Sequence, residues 1–252
     1  MSATAATVGA PATVGKRLRR SPFFTILGLI MLMFAIAGFW PQYFSAVTGR
    51  SPSAPTQFWL IHLHAALFVG WLLIYVSQAS LILTGRTKIH LTLGPWLASY
   101  GFVIAAIGVF AAIRLAERFG KRVGSSEEAA AFVFYPLIDM VYLAGFLAAA
   151  LIFRKRPNLH KRAMFLATFS IATVGGGRFV ERAVGLDSAW IWQPLMLTPL
   201  LLAIAYDLLV CRKLYAIMAV GLAVHFLRLN AEQFTHREWW LPLGRALLVP
   251  FR

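Results

Sequence analysis

Runs of roughly 18 or more predominantly apolar residues recur along this chain of 252 residues. A helix of about 20 such residues, rising ~1.5 Å each, spans a hydrocarbon core of ~30 Å. Repeated runs of that kind constrain the fold to an all-α, polytopic bundle of membrane helices. Composition agrees, since 60% of residues are hydrophobic and only 13% charged, well outside the range of soluble domains.

Seven segments are long or apolar enough to be read as crossings: about Phe23 to Phe44, Phe58 to Leu83, Leu91 to Leu115, Ala129 to Phe153, Ala163 to Val180, Ala189 to Val210 and Leu214 to Leu227. The last is short. Residues 1–22 form a basic N-terminal tail, 23–230 the helix bundle with segments two to five as its core, and 231–252 an interfacial C-terminal segment carrying Trp239, Trp240 and the run Ala246 to Phe251. The first segment follows Lys16, Arg17, Arg19 and Arg20, as a signal peptide would. Its core is too long and bulky for one, and it ends in Phe39, Trp40 and Tyr43 instead of a small-residue cleavage site, so it reads as a retained anchor.

The net charge of +15 does not point to nucleic acid, because the basic residues lie mainly in short connections, where they set topology and meet anionic head groups. Counted on alternate sides, 13 Lys and Arg fall on the side of the N-terminus and 11 on the other, while seven of the nine acidic residues lie on the second side. The clusters Arg86/Lys88 and Arg154/Lys155/Arg156 with Lys161/Arg162 then read as cytoplasmic. The expectation is a bacterial inner (plasma) membrane protein, N-terminus in and C-terminus out, with membrane lipids as partners. The single Cys211 excludes an internal disulfide and any CxxC motif.

Local signals mark several boundaries. Ser125 with Glu128 is a capping-box pattern before the fourth segment, and Asn158 is a candidate cap for the fifth. Gly101, Ala105, Gly108 and Ala112 share one face of the third segment, which favours close helix packing. The pattern Arg-x-x-x-His occurs at Arg86/His90 and again 70 residues later at Arg156/His160. Each instance opens a helix after a short basic turn. Segments two to five therefore read either as a duplicated helical hairpin or as two inner turns filled independently with basic residues. Duplication predicts His90 and His160 at equal depth.

An ionisable side chain in lipid needs a partner or a cavity, so such residues are the functional candidates. His64, His225, His90 and His160 qualify, either as metal or haem ligands or as histidines bonded to a neighbouring helix. Helical rise puts His64 and Arg178 at similar depth with Asp139 nearer the middle, so these three are expected either to line one polar pocket or to resolve into an Arg178–Asp139 ion pair or an Arg178 that snorkels out to Glu181 and the head groups. Gly175-Gly176-Gly177, just before Arg178, suits a kink or a backbone laid against a ligand. Asp207 is expected to pair with Arg212 or Lys213. No phosphate-binding Gly loop, nucleophile elbow, HExxH motif or Cys cluster is present.

The stretch His62-Leu-His64-Ala, Arg86-x-x-x-His90-x-x-Leu93-Gly94 and Arg156-Pro-x-Leu-His160-Lys-Arg-x-Met164 resembles a broad group of bacterial predicted membrane proteins, over residues 58–180. That group carries no established activity. More distantly, the four-helix core looks like the transmembrane di-haem cytochromes b that move electrons from ascorbate to ferric iron. There, two His pairs from alternate helices hold two haems near opposite faces. By position, the resemblance implies haem b, with His90 and His160 as the inner pair and His64 as an outer ligand, although segment four has no His.

Three function classes remain open at this level. One is b-type haem or quinone-linked electron transfer through His90, His160 and perhaps His64. The others are a non-catalytic accessory or assembly subunit of a larger membrane complex, and a small-molecule or lipid transporter using His64, Asp139 and Arg178.

Overall fold

A computed structural model describes residues 21–50, 59–185 and 189–248. Most of the basic tail, Phe58 at the start of the second segment, and Phe251 in the final apolar run lie outside the described residues. The described residues are all helix and turn. Five helices are long and apolar enough to cross a membrane: α1 Phe23–Val47, α2 Trp59–Leu83, α3 Thr87–Val123, α4 Ser126–Ile152 and α5 Pro157–Val184. Helices suit this solvent because they satisfy their own N–H and C=O groups. Five shorter pieces follow: α6 Ala189–Met196, α7 Thr198–Leu209, α8 Ala216–Leu229, α9 Glu232–Thr235 and α10 Leu241–Leu248.

The turns between α2 and α3 and between α4 and α5 lie at one end of the bundle, and the α3–α4 turn at the other; we call these the basic-turn end and the far end. Helix α1 starts at the basic-turn end, where Phe24 meets Phe165 edge-on with centroids 5.9 Å apart. The stretch from Trp240 to Leu248 packs at the far end, where the buried Trp240 Nε1–H donates to Ala130 O at 2.8 Å. The two ends of the described chain therefore sit at opposite ends of the bundle.

Helix α5 is the centre. In its most apolar stretch 72% of residues are buried, against 17–39% in the other four long helices. Its polar side chains are satisfied close to home. Ser170 and Thr173 donate to Ala167 O and Ser170 O at 2.8 and 2.9 Å, and Thr168 accepts from Trp71 Nε1 of α2 at 3.1 Å. Trp96 and Ile152, 78% and 76% exposed, face outward as lipid contacts do.

The Gly175 run is occupied by a contact between helices. Helix α5 runs unbroken through it, and a Cβ on Gly175 would lie 2.6 Å from Ala35 Cα of α1. The glycine lets two backbones touch, which is how membrane helices gain packing energy. The small-residue face of α3 behaves as expected: Gly101, Ala105, Gly108 and Ala112 are all buried.

Helix ends agree in part with expectation. Ser125 Oγ accepts from Glu128 N at 3.1 Å and caps α4. Asn158 does not cap α5. The N-cap is Arg156 with Pro157 at the first helical position, and Asn158 instead offers its carbonyl to Arg162 Nη1 at 2.7 Å. Helix α3 continues past Leu115 to Val123, stopping where Gly124 takes a left-handed φ of 74°. At 37 residues it is ~55 Å long, so its charged last turns stand beyond a ~30 Å core. The chain returns there: Trp240 and Leu248 pack on Ala112, Ala116, Ala129 and Val133 in a second apolar cluster.

The sixth apolar segment is broken. Helix α6 holds Pro194, α7 has Pro199 in its first turn, and the helix restarts at Thr198. A proline inside a helix removes a donor and clashes with the preceding turn. Helix α8 is 14 residues long and reaches only the level of Asp139, so short α9 and its flanking turns carry the chain on to Trp240.

Candidate functional site

The Arg-x-x-x-His repeat has a local structural cause. In both copies Arg is the N-cap residue, and the His N–H closes the first helical turn onto its carbonyl: His90 N to Arg86 O at 3.3 Å, His160 N to Arg156 O at 3.0 Å. Four residues is the helical hydrogen-bond step, so both histidines project from the first turn of their helices. Since α3 and α5 both start at the basic-turn end, the two rings come to one level. They meet with centroids 6.2 Å apart and planes at 75°.

The two rings are held differently. His160 Nδ1 lies 2.9 Å from Ala150 O. A carbonyl can only accept, so Nδ1 carries the proton and Nε2 keeps its lone pair, the tautomer of a histidine prepared to bind a metal. His90 Nδ1 is buried with no hydrogen-bond partner.

The other predicted site residues are not brought together with one another as a pocket. Asp139 is 1% exposed and forms a two-point ion pair with Arg228 of α8, Nε to Oδ1 at 2.6 Å and Nη2 to Oδ2 at 2.7 Å. Arg178 turns to α1, donating to Gln42 Oε1 at 2.6 Å with its guanidinium 5.0 Å from the Phe39 ring. The expected Arg178–Asp139 pair is thus replaced by two separate pairings. His64 packs against Phe68 with centroids 4.0 Å apart, and its Nδ1 is buried without a partner.

Sequence reasoning missed two charged partners. Arg162, counted among the turn cations, is fully buried and paired with the equally buried Asp207. Its Nη2 also lies 3.6 Å from Cys211 Sγ, and the Tyr215 ring centroid is 3.7 Å from its guanidinium carbon. Asp207 therefore does not use Arg212 or Lys213. Arg228, one residue past the expected end of the seventh segment, is the partner of Asp139. The available signal was that each of these aspartates lies inside an apolar run and so requires a cation from another helix.

Around Asp139, Tyr142 donates to Val224 O at 3.0 Å. His225 Nδ1 donates to Gly221 O at 2.7 Å within a cage of Tyr142, Phe146 and Phe169, while its Nε2 is buried without a partner. These contacts tie α8 to α4. Tyr142→Phe removes one hydrogen bond and leaves a carbonyl short of a donor, so it is expected to cost about 1 kcal/mol, read from the thermal midpoint in detergent.

Among the described residues no group of three or more His, Cys, Asp or Glu side chains could hold a metal ion. Protein-held metal ions such as zinc take three or four protein ligands, whereas haem brings its own equatorial nitrogens and needs only axial ones. The His90/His160 pair therefore fits a haem iron better than a bare ion. The two ring centroids lie 6.2 Å apart on separate helices, so both imidazoles could reach one group placed between them. The His64 position fits less well, because no histidine lies on α4 to oppose it.

No protein-family model, curated protein or solved structure matches the chain.

Proposed function

We propose that the protein is a membrane electron carrier in which His90 and His160 would hold the iron of one b-type haem. The observation that carries this reading is the meeting of the two rings at one depth on separate helices, with His160 locked by Ala150 O in the tautomer that leaves Nε2 free. When bound, the haem supplies one-electron transfer, at a potential tuned by its ligands and burial. The chain's own residues do the rest. Ala150 fixes one imidazole, and the first turns of α3 and α5 set both histidines at the basic-turn end of the bundle. Arg86 and Arg156 beside them provide cations suited to anionic partners at that surface, including haem propionates.

The same reading takes the chain as a seven-crossing protein of a bacterial inner membrane, with the basic-turn end in the cytoplasm. Two features favour this. The basic turns follow the positive-inside pattern, and α6 with α7, then α8 with α9, carry the chain between the ends of the bundle twice more. The matched Arg caps and matched histidine depths favour a duplicated hairpin for segments two to five.

Purified full-length protein from cells supplied with a haem precursor is expected to show a Soret band and about one haem per chain. His90→Ala or His160→Ala should abolish the band while leaving the elution profile unchanged. A colourless, iron-free wild-type preparation would falsify the proposal, as would a full haem complement in both variants.

A further inference from the structure

At the far end, α1 and α5 leave an open groove of about 590 Å³ lined by Met33, Ile36, Trp40, Phe179 and Arg182 among others. Its walls are apolar along the helices and cationic at one end, the shape of an amphiphile. We propose that it binds one anionic phospholipid, with an acyl chain along Met33, Ile36 and Phe179 and the phosphate held by Arg182 and Arg50 beside Trp40.

The local chemistry begins with Pro41. It has no N–H to give Ala37 O, and the helix widens into a π-helical stretch at Trp40–Phe44. Arg182 Nη2 fills the gap, donating to Ala37 O at 2.8 Å and Gly38 O at 2.7 Å. That fixes the guanidinium at the groove's edge and leaves its Nε and Nη1 donors without a partner among the described residues. Planar donors held in place are what phosphate oxygens bind best.

Arg50 adds a second charge. Its guanidinium carbon is 5.9 Å from the Trp40 ring centroid, on the residue that walls the groove. Trp40 is 40% exposed and stands near the end of its helix, where membrane tryptophans sit at head-group level. Arg178 lies one turn before Arg182, and Glu181 is the one acid on the last two turns of α5. The balance favours an anion over a zwitterion.

The test compares phosphatidylglycerol with phosphatidylcholine of identical acyl chains, by native mass spectrometry of the full-length protein in detergent. Phosphatidylglycerol is expected to survive as a one-to-one adduct and to bind at least ten-fold more tightly. At ~1 kcal/mol per cation near a lipid surface, Arg50→Gln should weaken it about five-fold, and adding Arg182→Gln should weaken it further. Arg50 is exposed and its side chain donates to no carbonyl among the described residues, so this variant keeps the fold, and Arg154→Gln at the opposite end should change nothing. Equal retention of the two lipids, an unchanged affinity in Arg50→Gln, or displacement of phosphatidylglycerol by millimolar inorganic phosphate would each overturn the assignment.

Discussion

Asp207→Ala is expected to destabilise the protein by about 3–5 kcal/mol, because it strands the Arg162 guanidinium, fully buried beside it, without a counter-charge. The pair joins α5 to α7, and Arg162 is also packed on Tyr215 and held by Asn158 O. Loss of the carboxylate therefore acts on the docking of the whole segment from Thr198 to Tyr215. A buried pair is weak evidence for net stability, since replacing both partners by apolar groups of similar size is often neutral. The second arm uses that asymmetry. Arg162→Met together with Asp207→Leu should recover most of the loss in a denaturant or thermal titration in detergent. Equal destabilisation by the single and the double variant would show that the charges do more than neutralise one another.

The second large effect is a reversal of sign between neighbouring glycines. Gly175→Ala places a methyl 2.6 Å from Ala35 Cα and 3.2 Å from Ala35 N, backbone atoms that cannot rotate away. Helices α1 and α5 must separate, at the upper end of the ~1–3 kcal/mol typical of overpacking. At Gly176 the nearest atom to an added Cβ is on the Phe34 ring at 3.6 Å, ordinary contact. Helix propensity then dominates, and Gly176→Ala should stabilise by roughly 0.5–1 kcal/mol. Thermal midpoints of the two variants side by side decide the matter. If the run were a hinge, both substitutions would shift the midpoint the same way.

The functional candidates divide along the same line between local and long-range causes. His90 and His160 were legible because each is tied to its own helix start by the Arg-x-x-x-His step, and both helices start at the same end. Depth follows from counting residues along a helix. The pocket of His64, Asp139 and Arg178 was built from depth alone, and depth is not enough: side chains at one level face different neighbours according to the rotation of each helix. Asp139 faces α8 and Arg178 faces α1.

From residue order alone follow the all-helical class, the five long spans, the Ser125 cap and the small-residue face of α3, because hydropathy, capping and the 3.6-residue period act within one or two turns. Spatial packing alone settles which charges pair. Asp139 finds Arg228 at a separation of 89 residues and Asp207 finds Arg162 at 45. It also turns the glycine run into a helix crossing. Those outcomes depend on the distance and rotation between helices, which no stretch of residues encodes locally.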